Sequence, residues 1–454
     1  MGSITTALYN SAQALRTFGQ GMAVTQNNVG NANTPGYVRQ VQTLASLPFN
    51  MEQGLPGGMA AGPVLSARDV FAENSVQMEQ SAMNFSKQTA SDLEVLQPQF
   101  DLSGSSGIAG ALNDLFNSFS QLSINPNDSV YRQSVLNQAQ ATAQAFQQTA
   151  TGILGTGNSV NSETKSTIDD INRLGATIAE INSQVRKNED GSVDAGVEAQ
   201  LYASLEELSQ DVNFTTLRQT DGTVSVYLGG QTPLVMGRTV YSIQGDFSLP
   251  QIAIRDQYGK DITAQVTGGQ LGSELNTKNT LLPSYMDRLN TLAQSLADQV
   301  NGTLANGLDA NGQAPTMDLF TYDAGSGAAF TLSLNPLTPD ELAAASPDAS
   351  GGNGNALALS ALANAPLANG CTFSQAFGAI GGQVGQDILH AQNQQTTAQS
   401  LLTQAQNLRA KTSGVSLDAE AANLIAYQQA YEATSKMFSV LNTLDNVTLG
   451  LIPS

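Results

Sequence analysis

The sequence predicts a mainly α protein with a smaller β portion, in which both ends of the chain lie together. Three observations carry this. Each end holds a long apolar stripe at helical spacing, and helical spacing returns on both sides of the middle. Period-two alternation with glycine turns is confined to residues 213–270. The nested order predicts an elongated multidomain chain. Residues 1–45 plus 413–454 form a terminal helical (coiled-coil) assembly domain. Residues 46–212 plus 271–412 form a helical bundle with loops, and 213–270 a small antiparallel β domain.

At the N-terminus Leu8, Leu15, Met22 and Val29 fall seven apart, with Ile4 and Phe18 beside them. The pattern breaks at Asn31-Ala32-Asn33-Thr34-Pro35-Gly36-Tyr37. Proline fixes φ and glycine permits a positive one, so this run ends the helix sharply and redirects the chain. Val38, Val41 and Leu44 read as a strand, followed by a Gly/Pro-rich loop from Gly54 to Pro63. Helical spacing covers Val70 to Leu96 and then Ile108, Leu112, Leu115, Phe119 and Leu122. Asn125-Pro126-Asn127-Asp128-Ser129 is a turn with cap residues that opens the next helix, through Phe146 and Ile153. The longest clean stripe is Thr164, Ile168, Ile171, Leu174, Ile178, Ile181 and Val185; Val197, Leu201, Leu205 and Leu208 make another.

From Asn213 the texture changes. Val224, Val226 and Leu228 alternate after Asp221-Gly222, and Tyr241–Ile243 and Ile252–Ile254 are further short runs punctuated by glycines. Helical spacing resumes with Leu282, Met286, Leu289, Leu296, Val300 and Leu304. Residues 307–370 read as ordered loops and short strands, and 373–411 as a long helix that Gly414 separates from the last one. That last helix carries Leu424, Tyr427, Tyr431, Phe438, Leu441 and Leu444, with no proline before Pro453. Isolated helices are marginal in water, so the two end helices need each other or copies of themselves. Ser11, Thr25 and Thr434 interrupt their seams. We therefore expect helices that are mobile in the monomer and order on assembly; a permanently paired coiled coil is the alternative.

Composition excludes several classes. The 454 residues, 41% hydrophobic, allow about three domains with real cores. A formal charge of −20 argues against a nucleic-acid partner. His390 is the only histidine and Cys371 the only cysteine, so an internal disulfide, HExxH chemistry and a Cys/His zinc site are excluded. Cys371 reads as a small buried apolar residue. No Sec-type leader is visible, and no apolar run approaches a membrane span. A Ser/His/Asp triad would have to use His390, which sits in a Gln-rich helical stretch and reads as a surface side chain. Gly155-Thr156-Gly157 and Gly325-Ser326-Gly327 lack the frame of a phosphate loop. Glu206-Glu207 and Asp169-Asp170 occupy adjacent helix positions and read as solvated faces. The Asp309–Gly312 run lacks the later Glu of an EF-hand. No catalytic, cofactor or metal residue is expected.

Asn27-Asn28-Val29-Gly30 followed by the Asn31–Tyr37 run resembles the N-terminal signature of flagellar rod, hook and hook-associated proteins. Ser413-Gly414-Val415-Ser416-Leu417-Asp418-Ala419-Glu420-Ala421-Ala422-Asn423-Leu424, with Tyr427-Gln428-Gln429-Ala430-Tyr431-Glu432-Ala433, is similar to its C-terminal partner. Arg39-Gln40, the Asn125–Asp128 turn before Arg132, and Gly268–Gly272 through Asn301 to Gly307-Leu308-Asp309 place the resemblance in the hook-associated branch. It implies a structural protein of the bacterial flagellum, an adaptor at the hook–filament junction. It would be exported unfolded by the flagellar type III apparatus and end outside the cell.

Implied partners are copies of itself, the hook protein, a second hook–filament junction protein and a cytoplasmic export chaperone. Asn31, Ala32, Asn33, Thr34, Pro35, Gly36 and Tyr37 would be an assembly interface. Asn423, Leu424, Tyr427, Gln428, Tyr431, Phe438 and Leu441 would form the assembly and chaperone helix. Gly30 departs from the alanine usual in the family, and the short middle implies that an extra outer β domain is absent. A hook or rod axial protein is the alternative within the class, and a secreted cell-wall hydrolase assisting flagellar growth the alternative outside it.

Overall fold

The structure, a computed structural model, describes residues 2–50, 55–101, 103–185, 193–368 and 370–450. Gly54 and Pro453, used in the sequence reading, lie outside the described residues. Helix α1 (Gly2–Gly30) leads to a hairpin of β1 (Gln40–Ser46) and β4 (Met59–Ser66), with β2 (Phe49–Asn50) and β3 (Leu55–Pro56) paired at its tip. The segment expected as a Gly/Pro-rich loop is thus largely the return strand. Its glycine and proline fall where the register slips between Gln42 and Leu44, a place where no ladder N–H is demanded of Pro63. The carbonyls left over there accept from side chains: Gly62 O from Gln42 Nε2 at 2.6 Å and Pro63 O from Thr43 Oγ1 at 2.7 Å.

Asp69 caps α2 (Val70–Glu94), accepting from the amides of Phe71 and Ala72. Then come α3 (Gly107–Ile124), α4 (Ser129–Gln184) and α5 (Ala195–Asp211). The strands expected after Asn213 form an antiparallel meander of β5 (Phe214–Arg218), β6 (Val224–Leu228), β7 (Thr232–Met236) and β8 (Thr239–Val240). A small hairpin of β9 (Gln244–Asp246) and β10 (Ala253–Arg255) follows. Next are α6 (Gly269–Asn276), a π turn (Thr277–Leu281) and α7 (Leu282–Ala305). Residues 306–372 hold β11 (Phe320–Thr321), α8 (Ala328–Thr331), β12 (Ser333–Leu334) and α9 (Gly354–Ala361), before α10 (Phe373–Ser413) and α11 (Leu417–Gly450).

Two large cores follow from the apolar stripes. One joins α3, the first half of α4, α7 and the start of α10, around Phe119, Phe146, Tyr285, Phe373 and Phe377. The other joins the second half of α4, α5 and α6 to the sheet, around Ile171, Leu205, Val226 and Leu271. Helix α4 serves both cores; its 56 residues span about 84 Å.

The amide-rich composition has a structural use. Five helix-borne asparagines among the described residues each hold both the N–H and the C=O of one residue distant in the chain, as a neighbouring strand would. The pairs are Asn28 with Gln40, Asn172 with Ile243, Asn182 with Val224, Asn279 with Ile252 and Asn301 with Phe320. Distances run from 2.8 to 3.0 Å. These clasps satisfy strand ends and loops that would otherwise leave unpaired backbone groups under a helix. Cys371, expected buried, is half-exposed in the turn before α10.

Candidate functional site

Helices α1 and α11 pack against each other, and the β1/β4 hairpin runs along α1, from Asn28 near its end to Asn10 at the hairpin tip. The fully buried face of α1 is small or polar: Ser11, Thr17, Gly21, Thr25 and Asn28. Leu8, Leu15 and Met22 are only half-buried, and Val29 is exposed. Small residues let the helices approach closely. A Cβ on Gly21 would sit 2.7 Å from the Tyr427 ring, which also leans on Phe18 with centroids 6.5 Å apart. On α11 the half-buried positions are Leu424, Tyr427, Ala430, Thr434, Phe438 and Leu441, at three-to-four spacing. Tyr431 and Leu444, expected in the same stripe, face outward, as do Asn423 and Gln428. Met437, Val440, Leu444 and Val447 make a second apolar stripe that nothing in the chain covers among the described residues.

The root of this helix pair is built by the signature run. The Asn31 side chain folds back to the Asn27 carbonyl at 3.0 Å, and Thr34 Oγ1 donates to Asn31 Oδ1 at 3.1 Å. Asn33, Thr34 and Pro35 form the exposed tip, while Ala32, Gly36 and Tyr37 are half-buried. Tyr37 donates its hydroxyl to Asn28 Oδ1 at 2.9 Å. Burial, and secondarily the Glu420 carboxylate at the start of α11, push the Tyr37 phenol upward. Gly36 has φ +73°, and a Cβ there would lie 2.1 Å from the Ala199 carbonyl of α5. The glycine thus lets the turn dock flush on that helix.

Under the turn lies a charged cluster that joins distant parts of the chain. The Arg68 side chain, only 4% exposed, donates to the Gly36 carbonyl at 2.6 Å, pairs with Glu73 and lies 3.6 Å from Glu198. Its guanidinium stacks 3.7 Å from the centroid of the Tyr202 ring. Glu73 also takes Arg409 at 3.2 Å, Arg409 reaches Glu206 at 2.7 Å, and Arg218 reaches Glu198 at 2.8 Å. Three arginines meet three glutamates, so the cluster is neutral, which is what allows its centre, Arg68, Glu73 and Glu198, to be buried while Arg218 and Arg409 reach the surface. Beside it Ser413, 1% exposed, accepts Arg39 N on its carbonyl and Asp69 N on its hydroxyl, both at 2.9 Å.

The arrangement fixes how the end helices leave the body. The family model described as the Flagellar hook-associated protein FlgK helical domain matches residues 93–320, half of the chain. The chain belongs to the FlgK family of flagellar hook-associated proteins. It is a structural protein of the flagellar hook–filament junction. A second family model, the C-terminal segment of the flagellar basal body rod FlgEFG proteins, matches residues 404–451. The chain is 23% identical to flagellar hook-associated protein 1 of Bacillus subtilis, over 99% of both chains. It is 25% identical to the protein of that name from Salmonella typhimurium, over 67% of this chain and 56% of that one. The solved structure of the flagellar hook junction protein FlgK from Burkholderia pseudomallei shares the fold. It superimposes with a TM-score of 0.66 at 17% identity, covering 74% of this chain and 99% of the other.

Sequence reasoning singled out the signature run and the C-terminal motif that begins at Ser413, but missed Arg68, Glu73, Glu198 and Arg409. The one available signal was Arg68 itself, a lone basic residue in its stretch of a chain with only 18 Lys and Arg. His390 is exposed, with a ring nitrogen 3.4 Å from the Gln394 amide. Glu206 and Glu207 serve different arginines, Arg409 and Arg173. Asp309 accepts the amides of Asn311 and Gln313 and so closes its own turn.

Proposed function

We propose that this family member is the adaptor at the distal end of the hook, binding copies of itself, the hook protein and a second junction protein. The observation that carries this is the pairing of α1 with α11, which leaves the Met437, Val440, Leu444 and Val447 stripe outward. An uncovered apolar stripe on a structural subunit fits a neighbouring subunit. We propose further that the chain travels unfolded through the flagellar type III apparatus, acts outside the cell and orders its end helices on assembly. The role is non-enzymatic.

The deciding experiment replaces the gene with a Val440→Asp/Leu444→Asp variant and images the cells. Hooks of normal length without filaments, with flagellin lost to the medium, are the expected result. Normal filaments would overturn the reading, and missing hooks would move the protein to the hook or rod. Release of fragments from purified peptidoglycan would favour the hydrolase instead.

Before export α11 is free of α1, so its aromatic residues are open to a cytoplasmic chaperone. A Tyr431→Ala/Phe438→Ala chain is expected to lose chaperone co-purification, and unchanged capture refutes that assignment.

A further inference from the structure

Two buried acids without a cation lie where α2, α4, α6 and the π turn meet. Asp92 on α2 is 5% exposed, and Glu274 on α6 is fully buried. Asp92 Oδ1 accepts from Gln88 Nε2 at 2.7 Å, and the same amide donates to Glu163 Oε2 of α4 at 2.8 Å. Glu274 Oε1 accepts from the Thr167 hydroxyl at 2.8 Å and from Gln270 at 2.9 Å. The second oxygen of each carboxyl, Asp92 Oδ2 and Glu274 Oε2, makes no well-formed hydrogen bond; the Thr277 hydroxyl faces the Asp92 carboxyl and the Thr164 hydroxyl faces that of Glu274. Thr89 and Ser273 tie α2 to α6 in the same layer, their hydroxyls 2.7 Å apart.

The surrounding charges do not neutralise the pair. From α4 comes Glu163, a further negative group. From the π turn comes Lys278, whose ammonium is committed to the Gly157 carbonyl at 3.3 Å. On α10, Arg409 serves Glu73 and Glu206, while Asp387 takes the Tyr285 hydroxyl and the Gln383 amide. His390 of α10 is exposed. On α5, Glu198 and Glu206 are held by arginines, Glu207 pairs with Arg173, and Asp211 is acidic. A buried carboxylate that lacks a cation is expensive, and a proton is the remaining way to discharge it.

We propose that this layer is a proton-operated lock on the seam between the helical body and the strands. With the carboxyls protonated, α2 and α6 close tightly. With both ionised they repel, and the π turn passes the loosening to the β9/β10 hairpin through the Asn279 clasp on Ile252. Burial lifts both groups to about 7, aided at Asp92 by Glu163. The native state therefore holds these protons more tightly than the unfolded chain does. The stabilisation is full below the ordinary carboxylate range and is lost as pH rises through about 7.

The test is amide hydrogen exchange of the full chain at about pH 6 and about pH 8, corrected for intrinsic rates. The readouts are Ile252 and residues 273–281. In the unaltered protein the local opening equilibrium is expected to rise roughly tenfold per carboxyl between the two conditions, about a hundredfold for the pair. In Asp92→Asn/Glu274→Gln the rise should largely vanish. Equal rises in both proteins, or a flat profile in the unaltered chain, would overturn the proposal. Glu163→Gln keeps the hydrogen bond to Gln88 but removes a charge that raises Asp92, so its transition should move to lower pH. That variant decides the matter if the double variant does not fold, an unmoved transition counting against the lock.

Discussion

Replacing Gly36 with alanine is expected to undock the signature turn from α5 and to abolish filament growth while leaving the two cores folded. The new methyl group would meet the Ala199 carbonyl at 2.1 Å on a backbone with φ +73°, where an L side chain is strained whatever the space. A left-handed residue costs about 1–2 kcal/mol and overpacking about 1–3 kcal/mol more. The obstacle is α5 backbone rather than the end of a flexible side chain, so relaxation offsets little of this. Urea denaturation should show a loss of about 2–5 kcal/mol in the transition that reports the end helices. Unchanged stability together with normal filaments would mean that the turn does not dock in the assembled state.

Replacing Arg68 with leucine should be the most damaging single change to the root. It removes one of the two arginines that hold Glu73, leaving Arg409 at 3.2 Å, leaves Glu198 with Arg218 alone and strips the Gly36 carbonyl of its donor. Breaking a buried pair on one side costs about 3–5 kcal/mol, because the remaining charge stays desolvated. The companion Glu73→Leu should be similarly harmful. The double replacement should recover a large part of the loss, since Arg409 keeps Glu206. Strictly additive losses in that cycle would show that the residues act separately rather than as one cluster.

The end helices were legible in the sequence because their apolar residues recur at helical spacing, and the nested strands because alternation and glycine turns are local signals. The buried face of α1 was not. Its closest approach uses Gly21, and only the position of Tyr427 on the other helix explains why that residue must be small. The outward turn of Tyr431 and Leu444 escaped notice for a related reason: α11 carries apolar residues on two faces, and spacing alone does not say which face is covered. The root cluster was illegible because its members are far apart in the chain. Glu73 and Arg409 are 336 residues apart, and no local pattern links them. The signature run itself announced a turn through Pro35 and Gly36. Its docking partner on α5 is a backbone carbonyl, which leaves no mark in the sequence.

Because α4 runs unbroken through both cores, bending one relative to the other would require breaking consecutive helical hydrogen bonds in a helix gripped on both halves. The body therefore has the stiffness of a strut. Compliance is concentrated at the root, where only the stretch between α1 and β1, the β4-to-α2 step and the Gly414–Ser416 link cross to the end helices. A load passed along the subunit is therefore expected to be taken up first at that short crossing, which Ser413 and Arg68 tie to the body through Arg39, Asp69 and the Gly36 carbonyl.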